Sequence, residues 1–312
     1  MEVFYSSKKI IPFKNSILTV GSYDGIHIGH KKILSTLVKK SKLYNLNSVL
    51  VTFDPHPRSV LNKNKNNLSL IMNLDQKLKI IEDIGINFVY IIKFTKNFSN
   101  ITAAQFMSKI IIPNFKPEII ITGANHFFGK NRGGSPNFLK KYCHRHNIGL
   151  TIIDPVMNGK SVVSSSKIRS LISSGYITEA NSHLGTYFSI NGVVVHGSGR
   201  GSLLNFQTAN ISPEEKKQLL PKKGVYLVLG RINGLNTFGM CNIGVRPTFG
   251  ENKLVMEIHF FLDEVLNLYG KRIKVKFLER IRDERLFPSS KDLVNQLEND
   301  KMICLNLSSK YK

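Results

Sequence analysis

Gly21-Ser22-Tyr23-Asp24-Gly25-Ile26-His27-Ile28-Gly29-His30 follows directly on the apolar run Ile17-Leu18-Thr19-Val20, and it opens a pattern with apolar residues at Ile33, Leu34, Leu37 and Val38. A short apolar run, a glycine-bearing turn and a 3.6-residue period predict a strand, a tight loop and a helix. His27 and His30 are three apart and share one face of that helix. The helix start offers N–H groups without intrahelical partners and the positive end of a dipole, which together suit a phosphate. Gly29 omits a side chain between the imidazoles, so a ligand can approach the backbone. The imidazoles themselves can donate hydrogen bonds to charge building on a phosphorus under attack.

Outward from this stretch, strands are expected at 48–53, 88–92 and 118–122, and helices at 76–84 and 103–111. Alternation of this kind implies an α/β domain with a parallel, Rossmann-like sheet covered on both faces, and ligands at the carboxyl ends of its strands. From Tyr187 the texture changes. Val193–Val195, Gly224–Leu229, Phe238–Ile243, Leu254–Phe261 and Ile273–Phe277 are short strand candidates between Gly-, Asn- or Pro-bearing turns. A helical pattern returns only at Asp292–Leu305, with Leu293, Val294 and Leu297 on one side. Short strands closed by one helix predict a small antiparallel β-barrel with a C-terminal helix. The segment 176–187 is the expected boundary, giving domains 1–184 and 185–312. Asn62–Asn67 reads as a solvated loop.

Composition agrees with two packed domains: 312 residues, 35.2 kDa, 42% hydrophobic and a mean hydropathy of -0.09. No apolar run approaches the roughly 18–20 residues of a membrane span, and Met1-Glu2-Val3-Phe4-Tyr5 lacks the basic-then-apolar order of a signal peptide. Cys143, Cys241 and Cys304 are scattered and odd in number, fitting neither a disulfide framework nor a zinc site. A cytoplasmic protein without a membrane partner is expected. The net charge of +23 invites a nucleic-acid reading. Lys, however, outnumbers Arg 33 to 11 alongside abundant Asn and Ile, which A/T-rich codons explain, and stacking aromatics are not interleaved with the cations. No nucleic-acid partner is therefore expected; anionic small molecules suit the field better.

The His-x-Gly-His element resembles the nucleotidyltransferase signature. The longer string narrows this to the bacterial bifunctional riboflavin kinase/FAD synthetase family, which usually has Phe at the place of Tyr23. Three more stretches agree in order and spacing: Thr52-Phe53-Asp54-Pro55-His56-Pro57, Gly123–Lys130 and Ser164-Ser165-Ser166-Lys167-Ile168-Arg169. The first ends a strand with a stiffened segment able to wall a planar ligand. The second belongs to a loop whose Lys130 and Arg132 face an anion. The third offers hydroxyls at a helix start and a guanidinium that can fork onto phosphate. The resemblance implies that His27, His30, Ser165 and Arg169 serve adenylyl transfer, with Gly21, Asp24, Gly29, Phe53, Asn125, Arg132 and Ser166 around nucleotide or flavin. His126 stands where the family usually has Phe, and Ser166 and Lys167 where it has Thr and Arg.

In the second half, His196-Gly197-Ser198-Gly199-Arg200-Gly201 is a glycine-rich loop of the kind that covers phosphates, without the end of a Walker A motif. Phe206-Gln207-Thr208-Ala209-Asn210 resembles the family's Pro-Thr-Ala-Asn, in which Thr and Asn hold Mg²⁺; here that implies Thr208 and Asn210. Asn242–Gly250, containing Arg246, matches a further segment, and Glu257 stands at the place of the catalytic base. Gly199, Arg200, Gly201 and Arg246 are the expected nucleotide or flavin contacts. Gln207, Asn205 and Ser202 depart from the family pattern, so a weakened kinase is expected.

The implied function is phosphorylation of riboflavin by MgATP to FMN, followed by adenylylation of FMN by a second ATP to FAD and pyrophosphate. The small-molecule partners are riboflavin, FMN and ATP, with the oligomeric state open between monomer and weak self-association. Two alternatives stand beside it: an adenylyltransferase with an impaired barrel, and a basic RNA-binding protein.

Overall fold

The computed structural model describes residues 1–7, 13–61, 69–197, 206–248, 251–262 and 266–312, with backbone alone at 245–248 and 251–254. The chain divides into two compact units, 1–164 and 165–312.

In the first unit β1 (Glu2–Tyr5), β2 (Ser16–Val20), α1 (Ile28–Leu43), β3 (Asn47–Asp54), α2 (Pro57–Leu61), α3 (Leu74–Ile84) and β4 (Phe88–Lys93) follow in order. Next, α4 (Ala103–Phe106) runs through a π turn at Met107–Ile111 into α5 (Ile112–Phe115). β5 (Pro117–Gly123), α6 (Pro136–Arg145), β6 (Gly149–Ile153) and the short pair β7 (Met157–Asn158) and β8 (Ser161–Val162) complete the unit. The main sheet has the order β1-β4-β3-β2-β5-β6, with every pairing parallel.

Period-2 alternation sends neighbouring residues of each strand to opposite faces, which is why the strands read as continuous apolar runs. On one face Ile17, Leu50 and Val89 pack with Leu34, Leu37 and Ile81 of α1 and α3. On the other, Leu18, Val49 and Val51 pack with Phe106, Phe115 and Leu139. The chain builds outward from β2 in one direction through β3 and β4, then in the other through β5 and β6. The switch between β2 and β5 opens a crevice at their carboxyl ends.

The second unit begins with α7 (Ser165–Ser173) and α8 (Ile177–Leu184), earlier than the change in sequence texture suggests. Their partners explain this. Asn181 of α8 donates from Nδ2 to the Phe277 carbonyl at 2.9 Å and accepts the Phe188 amide at 2.7 Å. The Lys222 amide donates to the Ile172 carbonyl at the end of α7, at 3.2 Å. Strands β9 (Ser189–Val195), β10 (Ala209–Pro213), β11 (Gly224–Ile232), β12 (Leu235–Thr248), β13 (Glu251–Phe260) and β14 (Arg272–Arg282) close an antiparallel barrel in the order β10-β13-β12-β11-β14-β9. Tyr226 and Phe277, both fully buried, meet edge to face at 5.6 Å.

Helix α9 (Ser290–Ser308) packs its Val294, Leu297 and Cys304 against Val225, Leu227 and Met240. Arg282 fixes it by forking onto the buried carboxylate of Asp300 at 2.7–3.0 Å, which also accepts from Gln296. The three cysteines are buried thiols, and no helix among the described residues is long and apolar enough to cross a membrane.

Candidate active sites

The loop after β2 turns sharply enough to require positive φ at Tyr23 (49°), Gly25 (89°) and Ile26 (33°). A β-branched residue there is strained, so its surroundings must over-determine it. Ile26 is fully buried in the core, the Tyr23 hydroxyl shares a 2.7 Å hydrogen bond with Thr19, and Asp24 turns inward. The Asp24 carboxylate accepts the Ile71 and Met72 amides at 3.1–3.4 Å, so its place is in holding the loop to the start of α3.

His27 is the N-cap of α1. Its Nδ1 accepts the His30 amide at 3.2 Å, so the ring carries its proton on Nε2. The two imidazoles stack at 3.6 Å and 15°, and Tyr23 lies 4.9 Å from His30. Burial first, and then the charges of His27, His126 and Lys77, push His30 well below the ordinary histidine pKa. It is neutral at pH 7, and its Nδ1 has no hydrogen-bond partner among the described residues. A Cβ on Gly29 would lie 3.2 Å from Cε1 and Nδ1 of His27. Its missing side chain therefore makes room for the capping imidazole, whereas the sequence alone suggested room for a ligand.

Below the loop, Lys77 is buried and donates to the Ser22 carbonyl at 3.2 Å. Burial lowers its pKa, while Asp24 and Asp54 hold it up. Spacing within α3 predicts an amphipathic helix but not that a lysine lies beneath the histidines, so sequence reasoning missed it.

Beside this loop a cavity of about 670 Å³ is lined by Phe53, Phe94, Phe98, Phe128, Asn125, His126 and Arg132 among others. Phe53, at the end of β3, meets Phe94 edge to face at 5.7 Å. The loop after β5 supplies Asn125, His126, Phe128 and Arg132: Asn131 and Arg132 take positive φ (54° and 59°), and the Arg132 guanidinium sits 4.5 Å over the Phe127 ring. Gly129, at φ +71°, packs where a Cβ would lie 2.6 Å from the Ala103 nitrogen, so glycine is required there. His126, pushed down to about 4 by burial, stacks on Phe128 at 5.9 Å and has no partner for Nε2 among the described residues. Three of the expected residues, Phe53, Asn125 and Arg132, thus share one cavity. Ser165, Ser166 and Arg169 lie on α7 in the second unit, and each has an interaction partner.

In the barrel, Thr208 just precedes β10 and Asn210 is its second residue. Both alternate with buried Ala209 and Ile211, so they share a side of the strand. Asn210 pairs with Glu257 of β13, and Glu257 pairs with Asn242 of β12. Directly opposed residues share a face with Cβ atoms roughly 4.5–5.5 Å apart, so these three form a polar row across three strands. A Cβ on Gly197 would collide with the Asn210 amide, so any other residue at the entry to the glycine-rich loop would have to displace that side chain. Asn242 was visible in sequence only as part of a motif; its alignment with Glu257 depends on register.

Arg246 lies on β12, paired through its backbone with Lys253. Gly199, Arg200 and Gly201, with Ser202 and Asn205, fall outside the described residues. Among the described residues no cluster of three or more His, Cys, Asp or Glu could hold a metal.

Two family models match the chain: FAD synthetase over residues 11–167 and riboflavin kinase over 184–307. The bifunctional riboflavin kinase/FMN adenylyltransferase of Buchnera aphidicola (subsp. Acyrthosiphon pisum) is 35% identical over 293 residues, covering 93% of this chain and 92% of that protein. Its namesake from Bacillus subtilis is 32% identical over 300 residues (95% and 94%), and that of Escherichia coli K12 is 31% identical over 294 (93% and 92%). A solved Streptococcus pneumoniae structure, titled a macrolide-efflux protein, matches with a TM-score of 0.89 at 28% identity, covering 97% of this chain and 99% of its own.

Proposed function

This chain belongs to the bifunctional riboflavin kinase/FMN adenylyltransferase family, and from that premise we propose how its own residues carry the two reactions. The barrel phosphorylates the riboflavin 5′-hydroxyl at the expense of ATP, and the sheet unit transfers an adenylyl group to the FMN so made, releasing pyrophosphate.

In the sheet unit, the aromatic cavity takes the flat isoalloxazine, with Phe53 as a wall and Asn125 as a polar contact. The start of α1 takes phosphate. There the His27 Nε2–H donates to an oxygen of the phosphorus under attack, and neutral His30 completes the imidazole pair. Positioning and fixed hydrogen-bond donors supply the catalysis, with no covalent intermediate. Ser165 and Arg169, for which the resemblance implies a part in adenylyl transfer, begin a helix of the second unit, so this reading rests on the sheet unit's own residues.

In the barrel, Glu257 accepts the proton of the attacking hydroxyl. The Asn210–Glu257 register pair carries this half of the reading, because it sets a ligand oxygen and a proton acceptor side by side. Thr208 and Asn210 offer neutral oxygen donors, which fit Mg²⁺ held mainly by nucleotide phosphates. When bound, the ion neutralises charge on the transferred phosphoryl group. A barrel without chemistry is disfavoured by this intact row, and the substrates are small molecules acted on in the cytoplasm. Incubation with riboflavin and MgATP, resolving FMN from FAD by chromatography, tests the reading: FMN appears first and FAD second. Failure to make either product overturns it.

A further inference from the structure

One imidazole in the barrel has no place in the chemistry above. His259 lies on β13 two residues beyond Glu257, so both side chains leave the same face of the strand. Its Nδ1 lies 2.9 Å from the carbonyl oxygen of Gln207. A carbonyl only accepts, so Nδ1 is the donor and carries the proton. Burial lowers this ring's pKa, which leaves it neutral at pH 7, and its Nε2 has no hydrogen-bond partner among the described residues. Phe206 and Phe261 flank it edge-on at 5.2 and 5.9 Å, fixing the ring plane.

Gln207 immediately precedes Thr208. It also stands where the resembling family has proline, so its φ is not locked by a ring. The tether from His259 restrains that same peptide through the carbonyl, which any residue would present. β13 thus carries both the proton acceptor and the anchor of the segment that presents Thr208 and Asn210.

We infer that His259 is a positioning residue for riboflavin phosphorylation, clamping the Gln207 peptide so that Thr208 and Asn210 stand in register with Glu257 before MgATP arrives. This rests on the reading of Thr208 and Asn210 as the nucleotide-metal ligands.

The test uses the full-length protein and measures both activities. His259→Phe keeps the aromatic packing and removes the donor. Losing one such hydrogen bond raises the kinase KM for MgATP about three- to tenfold, with a smaller change in kcat and none in FAD formation from supplied FMN. His259→Asn, whose amide nitrogen falls near the place of Nδ1, brings KM back to within about twofold of the starting protein. His259→Gln, whose amide falls at the place of Nε2, serves as the second broken variant should the Phe variant not fold. A broken variant with unchanged KM, or an Asn variant no better than it, overturns the inference. Asn210→Ala is run alongside. If it leaves the kinase intact, the metal-ligand reading itself fails; if it abolishes the kinase while His259→Phe or His259→Gln keeps its KM, only the positioning role fails.

Discussion

The Nδ1 atom of His27 accepts the backbone amide of His30 while the two rings stack at 3.6 Å. One side chain therefore caps α1 and, through the tautomer that capping imposes, presents an N–H at the opposite ring nitrogen. These roles are separable. Asparagine is among the best N-cap residues, so His27→Asn should keep the melting temperature within a few degrees. Its FAD formation should fall on the order of 10²–10³-fold, the cost of one transition-state donor. Melting curves and FMN-to-FAD rates check both statements, and an active Asn variant would leave His27 as a cap alone.

His30→Ala should abolish FAD formation and leave riboflavin phosphorylation near its original rate, because this imidazole belongs to the first unit alone. Equal loss of both products in a folded protein would sink the assignment of the two reactions to two sites.

Glu257→Gln preserves volume and removes the proton acceptor, so the kinase rate should drop on the order of 10²–10⁴-fold. Adenylylation of supplied FMN should persist. Unchanged kinase turnover would make Glu257 an ordinary polar residue of β13.

Gln207→Pro restores the residue usual in the family and keeps the carbonyl that His259 holds. Fixing one φ before binding should tighten apparent MgATP binding in the kinase by about threefold to fivefold, since ordering one backbone position costs roughly 1 kcal/mol. Kinase KM values for ATP and riboflavin decide it. Weaker binding of either substrate would mean that the Gln207 side chain or amide makes a contact of its own.

His126 gives a pH dependence with a definite sign. Its pKa falls from 6.5 in the unfolded chain to about 4 in the fold, through burial. Between those values the unfolded chain binds a proton that the native protein does not. Stability is therefore full above pH 6.5 and declines as the pH drops toward 4, by about 1–3 kcal/mol at the low end. His126→Phe should flatten this slope, measured as ΔG of urea unfolding at pH 7, 6 and 5. Part of the slope remains, because His30 titrates in the same sense. A variant whose acid slope matches the parent's would show that His126 is already protonated in the fold.

The βαβ alternation and the barrel were legible because their strands are continuous apolar runs bounded by turns. Three strands of the main sheet and the barrel were not. Glu2–Tyr5 is only four residues long, Ala209–Pro213 carries little β-branched character, and Gly149–Ile153 comes after α6, a short helix whose pattern was not read either. The helical pattern at 103–111 continues to Phe115 because the π turn lets Pro113 follow without ending the helix. In the site, the helix-start motif named His27 and His30, but not the direction of Asp24, whose partners lie 47 and 48 residues away. Period-2 spacing could have placed His259 on the face of Glu257. Its contact with Gln207 spans 52 residues and emerges only once β10 and β13 pair.

Closure of the barrel joins β9 to β14, the first of its strands to the last. A nascent chain thus holds every strand of the parallel sheet by residue 153, yet cannot seal the barrel until Arg282 has left the ribosome. A stop codon just before Arg272 would leave β9 and β11 as two open edges, each ready to pair with another copy. Loss of the last 41 residues would therefore do more than remove phosphorylation. It would leave a truncated polypeptide prone to self-association, and an adenylyl-transfer unit tethered to it whose FMN must come from elsewhere.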